Sequence, residues 1–125
     1  MASASANKAF VARAAAILTT GEVAGTSFDL NNAWGSKVAV QVDFTLGMLT
    51  NEVVRFYVSN DGTNFYTLYG PSGAVLTQTL TASATITIPV QAVGWKFLRV
   101  SLQGTGTVTA STSTVTLRYL RRGSQ

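Results

Sequence analysis

The stretch "KVAVQVDFTL", Lys37 to Leu46, decides the fold class. Val38, Val40, Val42, Phe44 and Leu46 fall on one side of an extended chain, and Lys37, Gln41, Asp43 and Thr45 fall on the other. Alternation with period two marks a strand that buries one face and wets the other. The next run, "EVVRFYVS" at Glu52 to Ser59, sets Val54, Phe56 and Val58 against Val53, Arg55 and Tyr57. Both faces are bulky, so this strand belongs inside a sheet or turns its second face to a partner. It leads into "VSNDGTNFYTLYG", Val58 to Gly70, where Asp61-Gly62 separates two runs that contain aromatic residues. Glycine supplies the positive φ of a hairpin turn, and Asn60 and Asp61 can bond their own backbone, so a hairpin is predicted here.

Working outward, "GPSG" at Gly70 to Gly73 breaks the chain again. "AVLTQTLTASATITIPV" keeps Leu76, Leu80, Ala82, Ala84, Ile86 and Ile88 in one parity. Pro89 cannot donate to a ladder and is expected to end that run. "WKFLRVSLQ" and "STVTLRYL" complete the set, joined by "GTGTVTA", which reads as a hairpin tip. Counted from Ala14, about eight strands follow at sandwich-like spacing, with no strong helical period after residue 20. The fold class is therefore all-β: an antiparallel β-sandwich of about eight strands, of jelly-roll type, with an N-terminal arm. Residues 1–25 form the arm and first strand region, and residues 26–125 the sandwich domain. The first stretch, "MASASANKAFVARAAAILTTGEVAGT", is rich in Ala and Ser. An isolated Ala-rich helix of this length is marginal in water, so an arm lying over another surface stands beside a helix as its reading.

Composition closes off several functions. The 125 residues are 46% hydrophobic and only 11% charged, which sets the chain apart from disordered sequences. There is no cysteine and no histidine, which removes disulfides, thiolate metal sites, the commonest general base and the most usual transition-metal ligand. The net charge of +4 is scattered, and only the terminal "RYLRR" is locally dense. A nucleic-acid groove needs a clustered basic stripe, so no direct nucleic-acid contact is expected. No run has the length of a membrane-spanning helix, and no membrane partner is expected. The five acids Glu22, Asp29, Asp43, Glu52 and Asp61 fall singly, and their simplest reading is solvated surface or capping. No serine sits in a nucleophile elbow, so no enzyme activity and no cofactor are expected. Asn60, Asp61 and Asn64 offer oxygens to a metal, but calcium wants six or more, and turn chemistry explains the three residues more simply. Tyr57, Phe65, Tyr66, Tyr69, Trp34 and Trp95 could face a sugar, against the reading that most of them are core or subunit interface.

Two resemblances follow from these residues. Ser59-x-Asp61-Gly62-x-x-Phe65 resembles the hairpin of discoidin-type and other galactose-binding-like sandwiches, and "WKFLRVSL" at Trp95 to Leu102 is similar to a later strand of those domains. In length, texture and lack of cysteine the chain also resembles auxiliary virion proteins of tailed bacteriophages, capsid decoration (cement) proteins first among them. That resemblance implies a virion structural protein, assembled in the host cytoplasm. Its partners would be the major capsid protein or other virion proteins, and a homo-oligomer such as a trimer would suit it. Candidate contacts are Phe10 and Arg13 in the arm, Asn60, Asp61, Asn64 and Tyr66 around the hairpin, and Arg118, Arg121 and Arg122 in the basic tail. The rival is a carbohydrate- or receptor-binding module of a tail or fibre, and another head-to-tail or tail component is a third reading.

Overall fold

The computed structural model describes residues 7–17, 21–33, 37–70, 73–92, 94–106 and 111–120. Two antiparallel sheets pack face to face. The first holds β1 (Asn7–Ile17), β10 (Thr112–Leu120), β4 (Lys37–Thr45) and β8 (Ala84–Gln91), in that spatial order. The second is built on β9 (Phe97–Gly106) and β5 (Leu49–Ser59), which pair along ten register positions from Leu49↔Gly106 to Ser59↔Phe97. Two short strands, β2 (Val23–Ala24) and β3 (Phe28–Asp29), flank β9, and two more, β6 (Tyr66–Thr67) and β7 (Thr77–Leu80), flank β5.

β2 and β3 share one partner, as do β6 and β7, so each pair is one edge strand interrupted midway. Between β6 and β7 the chain makes an excursion closed by a Tyr69↔Val75 bridge and rejoins through Leu76 N–H donating to the Leu68 carbonyl at 3.0 Å. Counted this way the described residues form eight strands, ordered 1-8-3-6 in one sheet and 2-7-4-5 in the other. Successive strands alternate between the sheets except at β5 to β6, which is the double Greek key of a jelly roll.

The alternation read in β4 and β5 is realised. Val38, Val40, Val42 and Phe44 from one sheet meet Val54, Phe56 and Val58 from the other, with Leu98, Val100, Leu102, Val115 and Leu117 completing the core. One side of the sandwich is sewn shut. Gly25 N–H donates to the Val100 carbonyl at 2.9 Å and Thr26 N–H to the Ala12 carbonyl at 2.8 Å, tying the edge of the second sheet to β1. A Cβ on Gly25 would lie 3.0 Å and 3.1 Å from those same two carbonyl oxygens, so the seam needs glycine there.

Three expectations are adjusted. Residues 7–13, assigned to the arm, form the outer strand of the first sheet, and register shifts between Val11 and Arg13 and between Arg13 and Ala16 hide its periodicity. The run through Pro89 continues to Gln91, with Pro89 opposite Ala39. β8 is an edge strand, where a missing N–H can face the side with no ladder. β9 extends through Gly106, into the predicted hairpin tip at residues 104–110, the rest of which lies outside the described residues. Among the described residues no helix is long and apolar enough to cross a membrane.

Candidate functional site

The Ser59–Asn64 turn spends its polar groups on itself. Asp61 and Gly62 N–H donate to Ser59 Oγ at 3.2 and 3.0 Å, and Ser59 Oγ donates to Asp61 Oδ1 at 2.9 Å. Thr63 and Asn64 N–H both donate to Asp61 Oδ1 at 2.8 Å, and Asn64 Nδ2 donates to Asp61 Oδ2 at 2.8 Å. These donors hold the Asp61 carboxyl well below the usual carboxylate range. Asn60 Oδ1 and the Ser59 carbonyl both accept from Lys96 N–H at 3.1 Å, pinning the turn to the start of β9. Gly62, at φ +76°, lies against the Phe97 ring; a side chain would fit in contact with the ring, but the backbone there would be strained for any residue with a Cβ. The stretch is a knot that sets the β5–β6 hairpin, with both Asp61 oxygens and Asn60 Oδ1 already accepting hydrogen bonds.

The outer face of the second sheet carries alternating charge and ring. The Arg99 guanidinium sits 4.0 Å from the centroid of Phe65 and 5.5 Å from that of Tyr57, caught between two aromatic faces. Next along β5, Arg55 donates to Gln103 Oε1 at 2.6 Å and pairs with Glu22 at 3.2 Å, and the Tyr57 hydroxyl donates to Glu22 Oε2 at 2.7 Å. Partial burial and the Glu22 carboxylate push the Tyr57 hydroxyl's pKa up. These rings and charges are bound to one another, which makes this face a braced wall. Tyr66 is exposed beside the half-buried Trp95, ring centroids 6.0 Å apart.

Glu52 corrects the reading of the acids as solvated surface. It is fully buried on the core side of β5, in the same parity as Val54, Phe56 and Val58. Ser113 Oγ donates to Glu52 Oε1 at 3.3 Å, while Oε2 has no hydrogen-bond partner. Arg13, half-buried on β1, donates to the Ser113 carbonyl and faces the carboxylate. Desolvation outweighs the Ser113 bond and the Arg13 charge, raising the Glu52 pKa from 4.5 to about 7. The same burial lowers the Arg13 pKa. Glu52 is a single acid with no second titrating group in reach of a substrate, and no group of three or more acids able to hold a metal ion occurs among the described residues.

At one end of the sandwich the two sheets part. A cavity of about 720 Å³ opens between the ends of β4, β8 and β10 and the excursion between β6 and β7. Val38, Leu68, Leu76, Val90 and Tyr119 form apolar walls, and Tyr119 is backed by a ring cluster with Phe28 at 4.8 Å and Phe10 at 5.2 Å from Phe28. Lys37 and Arg118, both exposed, line it, and no acid does. Apolar surface runs out to the rim: Tyr69 is 60% exposed and Leu120 50%, and Val75, bridged to Tyr69, is 45% exposed beside them.

The candidate contact residues therefore do not meet in one place. Phe10 packs on the core, Arg13 serves the buried carboxylate, and Asn60, Asp61 and Asn64 build the turn. Arg118 borders the cavity and donates from Nε to Gln41 Oε1 at 2.8 Å. Arg121, Arg122 and Trp34 lie outside the described residues. Sequence reasoning missed Glu52, although its parity was readable, and the cavity, whose lining comes from segments far apart in the chain.

No protein-family model matches the chain, and no curated protein matches it significantly. Two solved structures share its architecture. The SPBc2 prophage-derived protein YomS superposes with a TM-score of 0.57 at 14% identity, over 90% of this chain and 92% of that one. A chain from the structure described as "Bacillus endospore appendages form a novel family of disulfide-linked pili" superposes with a TM-score of 0.53 at 13% identity, over 93% of this chain and 89% of that one. At such identities the likeness extends to the fold: the all-β sandwich is a whole-chain architecture common to all three.

Proposed function

We propose that this chain is a structural subunit of a phage particle, a decoration protein that stabilises the capsid by protein–protein contacts and does no chemistry of its own. The observation that carries this reading is the apolar end of the sandwich, where Tyr69, Val75 and Leu120 stand in solvent around an open apolar cavity on a chain without histidine or cysteine. Contiguous exposed apolar surface of this kind marks an interaction site. The polar groups that could have served a catalyst or a sugar are committed to one another in the Asp61 turn and the Arg99 and Arg55 networks.

Support of a coarser sort comes from the fold. One solved neighbour is a prophage-derived protein and the other comes from pili, and both cover nearly the whole chain. The pili are disulfide-linked, whereas this chain has no cysteine, so any assembly it enters is held without disulfides of its own. The test is to add purified protein to capsids lacking it. Saturable, stoichiometric uptake with raised heat resistance is expected. Failure to adsorb, together with specific binding in a glycan screen that is lost in Tyr66→Ala, would transfer the assignment to a receptor-binding module.

A further inference from the structure

We propose that the open end of the sandwich docks a short segment of a different protein, with apolar side chains that enter the cavity and acidic residues that meet Lys37 and Arg118. The walls require an apolar occupant: Val38, Leu68, Leu76 and Val90 offer no hydrogen-bonding side chain. The charge at the mouth is of one sign, since Lys37 and Arg118 are the charged residues that line it. A neutral or basic guest would leave those cations uncompensated as water is excluded from around them.

The guest is a polypeptide because the apolar surface does not stop at the cavity. Tyr69 and Leu120 on its rim stay 60% and 50% exposed, and Val75, bridged to Tyr69, is 45% exposed beside them; a small amphiphile inside the cavity would leave these outer surfaces wet, and a peptide lying across the opening would cover them. The guest is not a second copy of this chain, because two copies that each carry a net charge of +4 repel one another and have few acids to bring to the rim. Glu22 pairs with Arg55 and Tyr57, Asp29 accepts from Asn31 N–H, and Asp43 accepts from Thr85 and Gln41. Glu52 is buried and Asp61 is tied into its turn. That leaves Asp29 and Asp43, which hold neutral donors only, against nine basic residues, so the basic rim is better complemented by a more acidic partner. This deepens the reading of the protein as a subunit held to a larger particle and rests on it.

Two fluorescein-labelled peptides test the proposal by anisotropy on the full chain, both with a Leu-Leu-Phe core, one flanked by Asp and Glu and the other by Lys. The acid-flanked peptide is expected to bind saturably, to weaken as salt rises, and to lose about tenfold in affinity to the Lys37→Glu, Arg118→Glu double variant. That variant should instead prefer the Lys-flanked peptide, which shows that it is folded and that the rim reads charge. Equal or absent binding of the two peptides overturns the proposal, as does sodium dodecanoate occupying the cavity while neither peptide displaces it. Self-association abolished by Leu120→Asp overturns it too, and assigns the face to a second copy. Because no capsid enters the assay, peptide binding without capsid uptake would count against decoration alone, and uptake without peptide binding against this site alone.

Discussion

Replacing Glu52 by Gln should make the protein more stable at pH 8 and change little at pH 5. The wild-type carboxyl has its pKa raised from 4.5 to about 7 because it is fully buried and only partly compensated by Ser113 and Arg13. The folded state therefore binds the proton more tightly than the unfolded chain does. Its contribution is fully present below about pH 4.5 and is lost as pH rises through about 7. At about 1.4 kcal/mol per pH unit of displaced pKa, the whole effect is about 3 kcal/mol, and roughly 2.5 kcal/mol of it disappears between pH 5 and pH 8. For a chain of this length that corresponds to a fall in Tm of about 7–10 °C. The chain has no histidine, so no other side chain titrates at its ordinary pKa within that window. Urea unfolding at several pH values between these limits is the assay, with the slope m confirming that the same transition is followed. The wild-type midpoint should fall with pH while that of Glu52→Gln stays level, the variant gaining roughly 2 kcal/mol at pH 8. A wild-type midpoint that holds or rises from pH 5 to pH 8, or a Gln variant weaker than wild type at pH 8, would refute the reasoning.

Other perturbations read other parts of the fold. Arg13→Ala removes the charge that opposes the upward shift, so the midpoint of the pH-dependent loss should move above 7, seen in the same urea series. Gly25→Ala drives a methyl against the Val100 and Ala12 carbonyl oxygens and should cost about 1–3 kcal/mol by thermal unfolding, with faster amide exchange at Thr26. Asp61→Asn should remove the acid-dependent stability contributed by this carboxylate, whose pKa the fold lowers: that contribution is present above the unfolded pKa and is lost as pH falls through the lower folded one. A urea midpoint for Asp61→Asn that depends on acid as steeply as that of wild type would contradict this. Phe56→Ala empties the centre of the core and should cost about 3–5 kcal/mol in urea.

Legibility in the sequence followed the physics of each element. β4, β5 and the β5–β6 hairpin could be read because one clean core face imposes period two over many residues, and because Asp61-Gly62 carries its turn in its own side chains. β1 could not, since its two register shifts reset the parity and its alanines give little contrast between faces. The short edge strands were unreadable for another reason: β2, β3 and β6 are two residues long, below any period. The cavity belongs to no local pattern at all, because it forms where the ends of three strands meet an excursion in a fourth.

Glu52 is the instructive residue, because two sequence rules gave opposite answers for it. Residue type places a lone glutamate in water, and parity places position 52 beside Val54, Phe56 and Val58 in the core. Parity won because it is collective: turning Glu52 outward would slip the register and expose three large side chains, at a cost of several kcal/mol. Desolvating one carboxyl that can take up a proton costs less, about 3 kcal/mol at most by its displaced pKa.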